Sequence, residues 1–178
     1  MTLRALEFYS GIGAFAQAAR VLDIDVVAAF DQSQHANVTY QANYQQQPCD
    51  RNLDSIRSSF IPPGDLWWMS PPCTPFSRRG KQKDQTDSRA RSFLHLIDLM
   101  AEKSPHYILV ENVQGFLGSA VHTLLIEKLT ASGYGTAQFS LCPTMFGVPM
   151  LRPRVFIVAS KDGSIRMPAA PACLEESD

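Results

Sequence analysis

"RALEFYSGIGAFAQAARVL", Arg4 to Leu22, decides the fold. Its opening RALEFYS is a short apolar run bounded by small residues, which reads as a strand. "SGIGAF" interrupts it with two glycines, residues that accept backbone conformations closed to others. "AFAQAARVL" then carries apolar residues at helical spacing. Strand, glycine turn and helix in so short a span form the first half of a βα unit.

The same alternation continues along the chain. "DVVAAFD" reads as a second buried strand with Asp31 at its end, and "SQHANVTYQANY" as a helix opened by Ser33 as N-cap. "DLWWMS" is a third strand, stopped by Pro71 and Pro72. "SRARSFLHLIDLMAEK" is an amphipathic helix with Phe93, Leu96, Ile97 and Met100 on one stripe. "HYILVEN" is a fourth strand, and "AVHTLLIEKLTASG" a helix closed by Gly133. "YGTAQFSL" and "RVFIVAS" are the last two strands. Strands alternating with helices imply an α/β domain built on a doubly wound, mostly parallel sheet, expected over 1–160. The Pro/Ala-rich acidic tail over 161–178 is expected to lie outside it.

In such a sheet ligands bind beyond the carboxyl ends of the strands. Gly11 and Gly13, Asp31, Cys73 and the pair Glu111–Asn112 each follow a strand, so one rim gathers the unusual chemistry of the chain.

The 178 residues are 45% hydrophobic and 19% charged, ordinary for a soluble domain. No apolar run reaches the ~18 residues of a membrane span, and the start is not expected to be a signal peptide. Cys49, Cys73, Cys142 and Cys173 make neither a disulfide framework nor a metal-ligand pattern, so no metal and a cytoplasmic location are expected. The net charge of −1 is unevenly spread. Arg78, Arg79, Lys81, Lys83, Arg89 and Arg91 face only Asp84 and Asp87 within their stretch, a basic patch fit to attract an anion. A solvated loop would have the same composition.

Cys73 stands behind two prolines that stiffen the backbone and ahead of a basic loop, conditions that suit a thiolate rather than a buried hydrophobe. Glu111 ends an apolar strand, where a carboxylate is costly unless paired or used. Raised proton affinity there suits an acid that donates to a ring nitrogen; a salt bridge to an arginine is the ordinary alternative. Arg152 and Arg154 lie two apart, on one face if extended. Asp31 has the geometry to accept from two ribose hydroxyls, and equally to sit at a helix N-terminus.

"FYSGIG", "SPPCTPFS", "ENVQGF" and "LRPRVF" occur in the order and approximate spacing of the cytosine-C5 methyltransferases, which this chain resembles from about residue 3 to 160. "SPPCTPFSRRGKQKDQTDSRARSF" is also similar to the subgroup containing the tRNA-aspartate methyltransferase. The resemblance implies a Rossmann-like methyltransferase sheet whose last strand is antiparallel, with S-adenosylmethionine as cofactor. It implies Tyr9, Gly11, Gly13, Asp31, Asn52 and Pro72 around that cofactor. Cys73 would be the nucleophile that attacks C6 of cytosine and Glu111 the donor to N3. Arg152 and Arg154 would stand beside them, with Asn112 orienting the cysteine loop. Ser77, Arg78, Arg79, Lys81, Arg89 and Arg91 would hold the nucleic acid.

The sequence departs from the family at Thr74, where glutamine is usual, and at Met150, where glutamine or asparagine is frequent. A target-recognition domain and a final helix are not recognisable, so a second chain or oligomer is the expected source of recognition. The reading that follows is a DNA (cytosine-5)-methyltransferase. The alternatives are a tRNA cytosine-5 methyltransferase and a non-catalytic subunit that binds cofactor or nucleic acid.

Overall fold

The computed structural model describes residues 2–72, 90–163 and 165. Six strands form one sheet: β1 (Leu3–Phe8), β2 (Ile24–Phe30), β3 (Leu66–Met69), β4 (Tyr107–Asn112), β5 (Gly135–Leu141) and β6 (Arg154–Ser160). They lie in the order β2-β1-β3-β4-β6-β5. The first four run parallel, and β6 is antiparallel to both β4 and β5. Helices α1 (Ala14–Val21), α2 (Gln34–Tyr44), α3 (Arg91–Lys103) and α4 (Ala120–Ala131) supply the crossovers.

Strand side chains alternate between two faces. On one face Leu6, Phe8, Trp67, Met69, Ile108, Val110 and Ile157 pack against Phe93, Leu96, Ile97 and Met100 of α3 and Val121, Leu125 and Leu129 of α4. On the other, Ala5 and Leu66 meet Phe15 and Ala19 of α1, while Ala29 meets Ala16 of α1 and Tyr40 of α2. Helices on both faces make the sheet doubly wound. The stripe expected on α3 is the one buried.

The caps explain where the helices start and stop. Ser33 accepts from the Ala36 N–H at 3.3 Å and opens α2. Gly133 follows the end of α4 with φ of +79°, a left-handed value that closes the helix. Helix α3 is described from Arg91; Ser88 and Arg89, where the amphipathic pattern opens, lie outside the described residues. The chain also forms short 3-10 turns at Ser58–Phe60, Gln114–Phe116 and Pro143–Phe146, which carry no periodicity to read. Beyond β6, Asp162 accepts from His106 Nε2 at 3.0 Å and from the Tyr107 hydroxyl at 3.1 Å. No helix among the described residues is long and apolar enough to cross a membrane.

Pairing sets the functional rim. Phe8 is level with Phe30 and Met69, Met69 with Val110, and Asn112 with Val155. The carboxyl ends of β1 to β4 and the amino end of β6 therefore share one edge of the sheet.

Candidate active site

The glycine turn after β1 is held from two sides. Gly11 and Gly13 have φ of +53° and +95°, and Tyr9 shares the left-handed region at +58°. The Gly11 N–H donates to Asp31 Oδ2 at 2.8 Å, and the Tyr44 hydroxyl donates to the Gly13 carbonyl at 2.8 Å. A methyl group at Gly13 would lie 2.2 Å from the Tyr44 ring, so the turn fits α2 only without a side chain.

Asp31 binds both the turn and the next helix. Its Oδ1 accepts from the Ser33 N–H at 2.8 Å, and its carbonyl accepts from Asn37 Nδ2 at 2.9 Å. Both readings of this residue are thus compatible: it stands at a helix N-terminus, and each carboxylate oxygen keeps a second lone pair for another donor.

A cleft of about 640 Å³ opens over this edge. Tyr9, Asp31, Asn52 and Pro72 line it together. Gly11 and Gly13 are not among its lining residues; Gly11 meets the cleft only through its hydrogen bond to Asp31. Leu53, Asp54, Ser70 and Ser92 also line the cleft and were missed in the sequence. Ser70 directly follows β3, so the strand-end rule was enough to find it. The Tyr9 hydroxyl donates to Ser92 Oγ at 3.0 Å, and burial pushes its pKa up, keeping it protonated. Ser70 Oγ donates to the Tyr9 carbonyl at 3.1 Å. The cleft fits an adenosyl group. It is nucleoside-sized, a carboxylate with free lone pairs suits a ribose diol, and Gly11 has open space where a Cβ would stand.

Arg91 also stands on this wall, as the first residue of α3, 3.8 Å from the Asp54 carboxylate. It therefore borders this cleft, a placement its basic neighbours did not indicate. Cys73, Ser77, Arg78, Arg79, Lys81 and Arg89 lie outside the described residues.

Beside the cleft, Glu111 and Asn112 end β4 on opposite faces. Asn112 is 1% exposed and donates from Nδ2 to the Pro71 carbonyl at 3.3 Å, which ties β4 to the residues before Cys73. Glu111 is paired with Arg154, whose Nε lies 2.9 Å from Oε1. Burial raises the Glu111 pKa, and the positive charges of Arg154 and Arg152 oppose that rise. The salt bridge weighed as the ordinary alternative is present, and burial raises the proton affinity of the same carboxyl. Arg154 begins β6, whereas Arg152 precedes the strand in irregular backbone and is exposed. No cluster of metal-ligating side chains occurs among the described residues.

The family model described as C-5 cytosine-specific DNA methylase matches residues 3–174. The chain is 42% identical over 168 residues to the human tRNA (cytosine(38)-C(5))-methyltransferase, covering 88% of this chain and 42% of that protein. It is 36% identical over 172 residues to a DNA (cytosine-5)-methyltransferase of Dictyostelium discoideum, covering 92% and 45%. The crystal structure of S. pombe Dnmt2 methyltransferase superposes with a TM-score of 0.80 at 32% identity, over 93% of this chain and 53% of that one. The chain thus spans about half the length of these relatives. With this sheet, this rim and this match along most of its length, the chain belongs to the C-5 cytosine-specific DNA methylase family, whose members take their methyl group from S-adenosylmethionine.

Proposed function

We propose that this chain carries the catalytic chemistry of a cytosine-C5 methyltransferase, and that its substrate is tRNA rather than DNA. The observation that carries the substrate is the 42% identity to a tRNA (cytosine(38)-C(5))-methyltransferase, against 36% to the Dictyostelium DNA enzyme and 30% to a type II methyltransferase. The DNA reading drawn from the sequence is the second choice, favoured by the Dictyostelium relative.

In this reading the Cys73 thiolate adds to C6 of the target cytosine, and C5 becomes electron-rich. Glu111 donates a proton to N3 as charge arises there; its raised pKa supports that role. Arg154 holds the Glu111 carboxyl in place, and Arg152 adds positive charge at the rim. Asn112 positions the loop that carries Cys73 through the Pro71 carbonyl. S-adenosylmethionine supplies the methyl group as an electrophile, in the cleft bounded by Tyr9, Asp31, Asn52 and Pro72. A base then takes the C5 proton, the C6–sulfur bond breaks to release the thiolate, and N3 returns its proton to Glu111. The cytosine must first leave its stack, at a cost of a few kcal/mol. Target selection is assigned to protein surface outside these residues, in the same chain, a second chain or a further copy. The free thiol required for catalysis fits a reducing cytoplasm.

The test is incubation with S-adenosylmethionine and tRNA or DNA containing 5-fluorocytosine, followed by mass analysis. A covalent adduct between Cys73 and tRNA is expected, absent in Cys73→Ala. An adduct only with DNA reverses the substrate; binding of cofactor with no adduct to either polymer makes the chain a binding subunit.

A further inference from the structure

The stretch between β2 and β3 carries a feature that the methyl-transfer site does not use. Arg51 and Arg57 both stack on Phe60, with guanidinium carbons 3.8 Å and 4.8 Å from the ring centroid. Phe60 is 37% exposed, and both arginines are exposed. Among the described residues neither arginine forms an ion pair. The nearby Asp54 pairs with Arg91, and Glu102 accepts from the Ser58 hydroxyl.

Two like charges on one ring repel each other, and nothing among these neighbours neutralises them. The ring holds both forks in place, so little further ordering is needed when their N–H groups meet an acceptor. The segment is itself rigidly mounted. His95 Nε2 contacts the Ile56 carbonyl at 2.8 Å, and Lys103 Nζ donates to the Ile61 carbonyl at 3.1 Å, fixing it along α3. It is also continuous with the cleft, because Asn52, Leu53 and Asp54 line that wall. Arg91, where the basic stretch 78–91 enters α3, meets the same wall through Asp54. Arg51 directly precedes the cleft-lining Asn52 in the chain, and Arg91 lines the same cleft.

We propose that Arg51 and Arg57, splayed on Phe60, form a phosphate-binding track for the sugar–phosphate backbone of the substrate nucleic acid, away from the target base. This inference rests on the reading of the chain as a nucleic-acid methyltransferase. The track reads no bases; it adds affinity and salt dependence.

The experiment measures tRNA binding against salt concentration for the wild type, Arg51→Gln/Arg57→Gln and Arg57→Gln, alongside S-adenosylhomocysteine affinity. The double variant is expected to lower the log–log salt slope by about 1.4–1.8, since each phosphate contact contributes about 0.7–0.9. The single variant should lower it by about half as much, with cofactor affinity within about twofold of the wild type. Unchanged slopes, with or without a lower melting temperature, would reduce the stack to a brace for its own loop and overturn the track. Binding of neither tRNA nor DNA by the wild type would overturn the substrate reading and the track together. Normal wild-type binding with an unaltered variant slope overturns the track alone.

Discussion

Arg154 Nε lies 2.9 Å from Glu111 Oε1, a contact created by the antiparallel pairing of β6 with β4 across the functional rim. Two opposing effects meet at this carboxyl: burial raises its pKa, and the guanidinium restrains the rise. Removing the charge in Arg154→Gln therefore shifts the Glu111 pKa further upward. If proton donation to N3 needs the acid form, the alkaline limb of the single-turnover pH profile should move to higher pH. The rate at its maximum should also fall, by about 10²-fold, because the carboxyl loses its orienting partner. An unmoved alkaline limb would show that Glu111 is not the titrating donor.

Asn112 links two elements that the chain separates widely, β4 and the segment Pro71–Pro72. Its Nδ2 is buried against the Pro71 carbonyl, and its Oδ1 accepts from the Val113 N–H at 2.8 Å. Asn112→Ala leaves buried groups without partners and should cost about 1–3 kcal/mol in urea unfolding. The loss of methyl transfer should exceed what the unfolded fraction explains. Asn112→Asp retains the acceptor but not the donor, so it should fail to rescue transfer.

Most of the fold was legible because each βα unit states its own punctuation. Ser33 and Gly133 cap helices where their chemistry demands, and the apolar stripe of α3 is the buried one. What stayed hidden depends on contacts distant in the chain. Cys49 bridges Phe30 as a single pair, with no periodicity to betray it. Arg152 and Arg154 looked equivalent, but strand register puts Arg154 in direct contact with Glu111, whereas Arg152 acts on it through charge. Arg91 belongs to a basic run by sequence, and only the packing of α3 sets it against Asp54. Arg51 and Arg57 gain meaning from their common ring, which spacing does not reveal.

Gly13 offers a test of how tightly the glycine turn is built. Its φ of +95° is strained for any other residue, and an added Cβ would meet the Tyr44 ring at 2.2 Å. Gly13→Ala combines a backbone cost of about 1–2 kcal/mol with an overlap cost of about 1–3 kcal/mol. The added Tyr44→Ala change removes the clash but leaves the backbone strain, and it deletes the hydroxyl that holds the Gly13 carbonyl. The double variant should therefore recover less than half of the lost S-adenosylhomocysteine affinity, measured by calorimetry. Full recovery would assign the glycine to space alone.

Glu7 sits one layer beneath this turn, 1% exposed. It accepts from the Tyr40 hydroxyl at 2.9 Å and from the N–H groups of Phe15 and Ala16 in the first turn of α1. Burial pushes its pKa up to about 7, outweighing those hydrogen bonds, and the charge of Asp31 adds to the rise. The folded protein therefore holds a proton that the unfolded chain releases near its ordinary value of 4.5. The stabilisation from this group is complete below that value and is lost as pH rises through about 7, amounting to roughly 3 kcal/mol. Glu7→Gln carries no titrating proton, so the stability of the variant relative to the wild type should improve by roughly that amount between pH 5 and pH 8. Urea unfolding across this range measures the difference directly. A constant gap would mean that the carboxyl is ionised throughout, its burial cost already met by Tyr40 and the helix N-terminus.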